Sequence, residues 1–66
     1  MTYHLEYKGF NMDEYDEGNE GTIWYITRID KGTFVDKHGD IVDMTAVWGN
    51  SNIAYKEVDR ILERTI

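Results

Sequence analysis

The sequence predicts an α+β chain: a small antiparallel β-sheet, made of a three-stranded meander plus an N-terminal strand (ββββα), with one C-terminal amphipathic helix packed on one face. Three observations lead there. Tyr3, Leu5 and Tyr7 alternate with His4, Glu6 and Lys8, the period of two that marks a half-buried strand. Residues 22–30 are rich in β-branched and aromatic side chains, the types that suit a pleated surface. After Trp48 the apolar period lengthens to about 3.6 residues, that of a helix with one buried face.

Taken in order, residues 3–8 form the first strand and residues 22–30 the strongest one. Residues 33–36 and 40–47 are expected to follow as two further strands. Asp30-Lys31-Gly32-Thr33 and Lys37-His38-Gly39-Asp40 have the composition of hairpin turns, with glycine placed for a positive φ. Gly49-Asn50-Ser51-Asn52 then breaks the strand pattern and offers helix N-caps. Beyond it, Ile53, Ala54, Val58, Ile61, Leu62 and Thr65 share one helical face, and Lys56, Glu57, Arg60, Glu63 and Arg64 take the other. The Glu57–Arg60 pair is expected to help by only a few tenths of a kcal/mol, so the helix is expected to depend on tertiary packing.

Sixty-six residues make a single domain, 1–66, near the lower size limit for folding alone. There is no cysteine, which excludes a disulfide framework and a thiolate zinc site. No basic segment followed by an apolar run opens the chain. The longest apolar run, residues 23–26, is far short of the roughly 20 residues that span a bilayer. A cytoplasmic location is the expectation, in a host cytoplasm if the chain is phage-encoded, with no membrane contact.

Charge is the most distinctive property. Residues 1–22 carry six carboxylates against Lys8 alone, a net of −5, while residues 23–66 carry seven acids against six bases, a net of −1. A chain with no basic stripe does not bind a phosphate backbone directly; its natural partner is basic. The acidity is concentrated in Asp13-Glu14-Tyr15-Asp16-Glu17-Gly18-Asn19-Glu20, read here as a loop or a single helical turn capped by Asn11. As a calcium loop it fails, because starting at Asp13 puts Tyr15 and Trp24 where oxygen ligands belong. Two readings remain: a solvated acidic loop, or a recognition surface on which Asp13, Glu14, Asp16, Glu17 and Glu20 stand in for phosphates. In the second, Tyr15, Phe10 and Met12 would supply apolar anchors, since charge steers more than it holds.

The sheet face bearing Trp24, Ile26, Phe34, Val42, Met44 and Ala46 is expected to pack on Ile53, Val58, Ile61 and Leu62. The opposite face would show Ile23, Tyr25, Ile29, Val35, Ile41 and Val47, too apolar for a solvated face. Either the first strand or the 10–20 segment folds across it, or it serves self-association through Tyr25, Ile29, Val35, Ile41 and Val47, making a homodimer.

Nothing in the inventory suggests catalysis. Ser51 is the one serine, placed as a helix cap, and no set of nucleophile, base and orienting group can be assembled. Gly18 and Gly21 lie among carboxylates that repel phosphate. His38 lies near Asp36, Asp40 and Asp43, but turn formation explains those residues as well as a metal would. No enzyme activity, metal or cofactor is expected. Trp24, Tyr25, Trp48 and Tyr55 lack the interleaved cations of a base-stacking platform, so core packing is the better account of them.

In size, acidity, tyrosine use and lack of cysteine, the chain resembles phage-encoded counter-defence proteins: anti-CRISPR, anti-restriction and DNA-glycosylase inhibitors. Trp48-Gly49-Asn50 leading into a final helix is similar to one glycosylase-inhibitor family over those three residues. The resemblance implies a small acidic protein-binding inhibitor, a DNA mimic that blocks a basic nucleic-acid-binding groove on a larger protein such as a nuclease. The alternative is a non-catalytic structural or adaptor domain that homodimerises or binds a partner through its apolar sheet face.

Overall fold

The computed structural model describes residues 3–64. It is an α+β fold: a four-stranded antiparallel sheet, a two-stranded ribbon, and one C-terminal helix on one face of the sheet. The strands are β1 (Tyr3–Tyr7), β2 (Phe10–Asp16), β3 (Thr22–Arg28), β4 (Phe34–Val35), β5 (Ile41–Val42) and β6 (Met44–Trp48), followed by helix α1 (Ser51–Arg64). The large sheet has the order β1-β2-β3-β6, and β4 pairs only with β5.

The meander is therefore built from different segments than the sequence suggests. Residues 10–16, expected as a loop or helical turn, form the second strand of the sheet, with Tyr7 opposite Phe10 and Met12 opposite both Leu5 and Ile26. Lys8 (φ 50°) and Gly9 (φ 86°) connect β1 to β2. Two successive positive φ values are what a two-residue type I′ hairpin turn needs to match the strand twist. Asp30 does organise a turn, its Oδ1 accepting from the Gly32 amide at 2.9 Å. It does not fold β4 back onto β3, because β3 already has β2 on one side and β6 on the other. The Lys37–Asp40 turn does close a hairpin, with Asp36 N donating to the Asp40 carbonyl at 2.9 Å.

Phe10, Met12, Trp24, Ile26 and Val47 face the helix and join Phe34, Ala54, Val58 and Ile61 in the core. This corrects the expected facing of the last strand. A bend at Asp43 separates β5 from β6, and a one-residue interruption of a strand exchanges its faces. Val47 is buried toward the helix, while Met44 and Ala46 share the parity of Tyr25 on the far side.

The helix is rotated relative to the expected stripe. Ala54, Glu57, Val58 and Ile61 are its buried residues, whereas Ile53 and Leu62 are exposed. Glu57, expected on the outer face, keeps only 3% of its side chain accessible and pairs with Arg64 (3.1 Å) and Arg60 (3.6 Å). Thr65 lies outside the described residues. Asn50 caps the helix through Oδ1 and the Ile53 amide (3.3 Å), and Ser51 is the first helical residue. Gly49 is dictated by its surroundings: its φ is 129°, and a Cβ there would lie 2.5 Å from Ile53 Cδ1. Its carbonyl accepts a 3.0 Å hydrogen bond from Trp24 Nε1, which satisfies the one polar atom of the largest core side chain.

Candidate functional site

The segment that carries the charge also helps form the uncovered sheet face. Along β2, alternate residues point to opposite sides. Phe10 and Met12 enter the core, so neither is available as the surface anchor expected of it. Asn11, Asp13 and Tyr15 point to the side away from the helix. By the pairing register, that side also receives His4 and Glu6 from β1, Ile23, Tyr25 and Thr27 from β3, and Met44, Ala46 and Trp48 from β6. Neither β1 nor residues 10–16 folds across this face, because both are strands within the sheet.

The result is an apolar surface edged with carboxylates. The Tyr15 and Tyr25 rings meet edge to face, with centroids 5.3 Å apart and planes at 78°. Met44 and Trp48 are each 50% exposed. Tyr15, Tyr25, Thr27 and Met44, with Asp13 and Glu17, line an open hollow of about 540 Å³. Ile23, on the same side between Tyr15 and Trp48, is buried. On the β1 side, His4 bridges two carboxylates, with Nδ1 2.6 Å from Asp13 Oδ1 and Nε2 3.2 Å from Glu6 Oε2. The Asp13 hydrogen bond, followed by that of Glu6, raises the His4 pKa above its ordinary value.

The remaining acidic residues extend the same charge around one end of the sheet. Glu14 and Asp16 are on the helix side of β2. Asp16 Oδ1 accepts from the Gly18 amide (2.9 Å), starting a 3-10 turn over Gly18–Glu20, and Glu17 and Glu20 are exposed around it. Among the described residues, no lysine or arginine pairs with Asp13, Glu14, Asp16, Glu17 or Glu20. The cations that do pair use other acids: Lys8 with Asp59, Arg28 with Asp30, and Arg60 and Arg64 with Glu57. Lys8 and Arg28 flank Phe10, at the opposite end of β2 from Asp16. Asp16, Glu17 and Glu20 thus lie at the other end of β2 with no lysine or arginine partner among the described residues.

The five residues expected to form an apolar self-association face do not share one. Tyr25 lies on the open face and Val47 is buried against the helix. Ile29 follows β3, and Val35 and Ile41 pair with each other in the ribbon, where Ile41 is 76% exposed. Met44, Ala46 and Trp48 take the place assigned to them on the open face. Of the four aromatics weighed as a platform, Trp24 is core and Tyr55 packs edge to face on Tyr7 at 4.8 Å, while Tyr25 and Trp48 are on the open face.

Asp36 acts as a turn organiser. Its Oδ1 accepts from the amides of both His38 and Asp40 at 2.9 Å, and the Asp40 amide, followed by that of His38, holds its carboxyl below the usual range. Among the described residues, no three His, Asp or Glu side chains converge as a metal site, and no helix is long and apolar enough to cross a membrane. Comparison with protein-family models, curated proteins and solved structures finds no match to this chain.

Proposed function

We propose that this chain is a protein-binding inhibitor that acts as a nucleic-acid mimic, placing its acidic end and the adjoining open sheet face in a basic groove of a larger protein. The observation that carries this reading is the segregation of charge: among the described residues the five carboxylates between Asp13 and Glu20 have no lysine or arginine partner, only His4 on Asp13, while the paired lysine and arginines use other acids. Uncompensated charge of one sign attracts a partner of the other and raises its association rate. The apolar surface beside it supplies what charge alone does not, because binding energy concentrates in a few desolvated aromatic contacts. The resemblance in size, acidity and tyrosine use to counter-defence inhibitors extends the reading to a nuclease or other nucleic-acid-binding enzyme as the target.

A second reading has its own observation. Met44 and Trp48, both half-exposed on β6, favour a structural or adaptor role in which the open face pairs with another copy or a neutral partner. Salt separates the two. Exposed charge pairs are screened beyond about 10 Å at about 0.1 M salt, whereas apolar contacts are not. The chain is immobilised and used to capture its target, and the target is then assayed for nucleic-acid binding. A mimic releases its target as salt rises and competes with nucleic acid. The variant Asp13→Asn/Glu14→Gln/Asp16→Asn/Glu17→Gln loses both properties. Capture by that variant equal to the parent would reject the mimic and leave the adaptor.

A further inference from the structure

We infer that the hollow beside Tyr15 and Tyr25 is a receptor for one arginine side chain of the partner protein, the anchor of an otherwise electrostatic interface. This deepens the inhibitor reading and rests on it for the identity of the partner as basic; the chemistry of the hollow can be tested without any partner.

The lining decides the occupant. Two tyrosine rings set at 78° to each other line the hollow, and Met44 adds a polarisable thioether. Ring faces are negative and attract cations. Asp13 and Glu17 line the same hollow, and among the described residues no lysine or arginine does. His4 engages Oδ1 of Asp13 and leaves Oδ2 without a partner among the described residues. An anion would be repelled by both carboxylates. A neutral apolar side chain would strip water from them and return nothing, a desolvation cost with no compensating bond.

Between the two cationic side chains, the geometry favours guanidinium. Its flat, weakly hydrated surface stacks on a tyrosine face while its edge presents paired N–H donors to a carboxylate, and those are the two kinds of group that meet here. An ammonium is a compact, strongly hydrated charge that must shed more water to enter an aromatic site. Placing the arginine here also explains how a polar strand can belong to an interface. Asp13 supplies the charge and Tyr15, two residues on, supplies the stacking surface on the same side of β2.

The test uses the full chain, labelled with 15N, and two probes at low salt: acetyl-Gly-Arg-Gly-amide and acetyl-Gly-Lys-Gly-amide. The arginine peptide is expected to shift the amide resonances of Asp13, Tyr15, Tyr25 and Met44 and to bind at least about threefold more tightly than the lysine peptide, because guanidinium alone can stack on a ring and donate a pair of N–H bonds to a carboxylate at once. Tyr25→Leu should weaken the arginine peptide by a similar factor. Met44→Lys, at an exposed position, puts a cation of the chain's own in the hollow and should abolish binding without unfolding the protein. Equal affinity for both peptides, shifts spread over Glu20 and Glu63 as well, or undiminished binding to Met44→Lys would overturn the assignment. If the peptide fails while the charge-neutralised variant still loses its target, the mimic stands and the arginine receptor falls.

Discussion

Removing Arg64 should expose the cost of burying the Glu57 charge. Glu57 has 3% of its side chain accessible, and its carboxylate is held by Arg64 at 3.1 Å and Arg60 at 3.6 Å. Arg64 is itself 26% exposed, whereas Arg60 is 59% exposed and the more distant of the two. Breaking one partner of a buried pair usually costs about 3–5 kcal/mol, because the remaining charge has lost its water and its counterion. Arg60 stays in reach and solvent screens part of the Arg64 contribution, so Arg64→Met should cost about 2–3 kcal/mol. For a domain of this size that lowers Tm by roughly 8–24 °C. It moves the urea midpoint by about 2–3 M, taking a slope of about 1 kcal/mol per molar. Urea titration followed by tryptophan fluorescence, which reports on buried Trp24, measures it. The double variant Glu57→Leu/Arg64→Met removes both charges and should recover most of the loss, since an apolar pair of similar volume is often as stable as an ion pair. A single variant that loses less than about 0.5 kcal/mol, or a double variant worse than the single, would refute this account of Glu57.

Two further perturbations address the core and the pH response. Met12→Ala should cost about 2–5 kcal/mol, as for other buried methionines, which is comparable to the whole stability of so small a domain; a cooperative thermal melt within a few degrees of the parent would place Met12 on the surface. His4 has a raised pKa through Asp13 and Glu6, so the stability it contributes is fully present below its unfolded value of about 6.5 and is lost as pH rises through the higher folded value. His4→Gln should flatten the dependence of Tm on pH in that window, and an unchanged profile would remove His4 from it. Asp36 has the opposite sign: its folded pKa is depressed, chiefly by the Asp40 amide, so its contribution is present above its unfolded value and disappears as pH falls through the folded one.

The sequence revealed the parts of the fold in which local pattern and environment agree. Alternation in residues 3–7 and the β-branched, aromatic run of residues 22–28 became β1 and β3, and the change of period after Trp48 became α1. The strand at residues 10–16 was hidden by its own carboxylates, which are depleted in strands on average. They are tolerated here because Asp13, half-buried on the face away from the helix, is bonded to His4, and Asp16 lies exposed at the strand's end. Phe10 and Met12 alternate with the polar residues, and Lys8-Gly9 turns back from Tyr7, so the signal for a hairpin was present but lacked the Asn or Asp that usually announces it. The facing of β6 was not legible, since a bend at Asp43 exchanges the two sides with no change in composition. Glu57 was assigned outward for its charge, and only the tertiary positions of Arg60 and Arg64 explain its burial.

The candidate site was half visible for the same reason. The sequence points to Asp13 for its charge and Tyr15 as its apolar anchor in one feature, and to Tyr25 in a separate apolar face. Pairing Asp13 opposite Tyr25 makes them one surface, and that pairing depends on β2 being a strand.

The most direct test of the mimic is the salt dependence of target binding, compared between the parent chain and the Asp13→Asn/Glu14→Gln/Asp16→Asn/Glu17→Gln variant. The account predicts an affinity for the parent that falls steeply as salt is raised, and a variant that binds weakly at every salt concentration with a much shallower slope. Parallel slopes and equal affinities would contradict it.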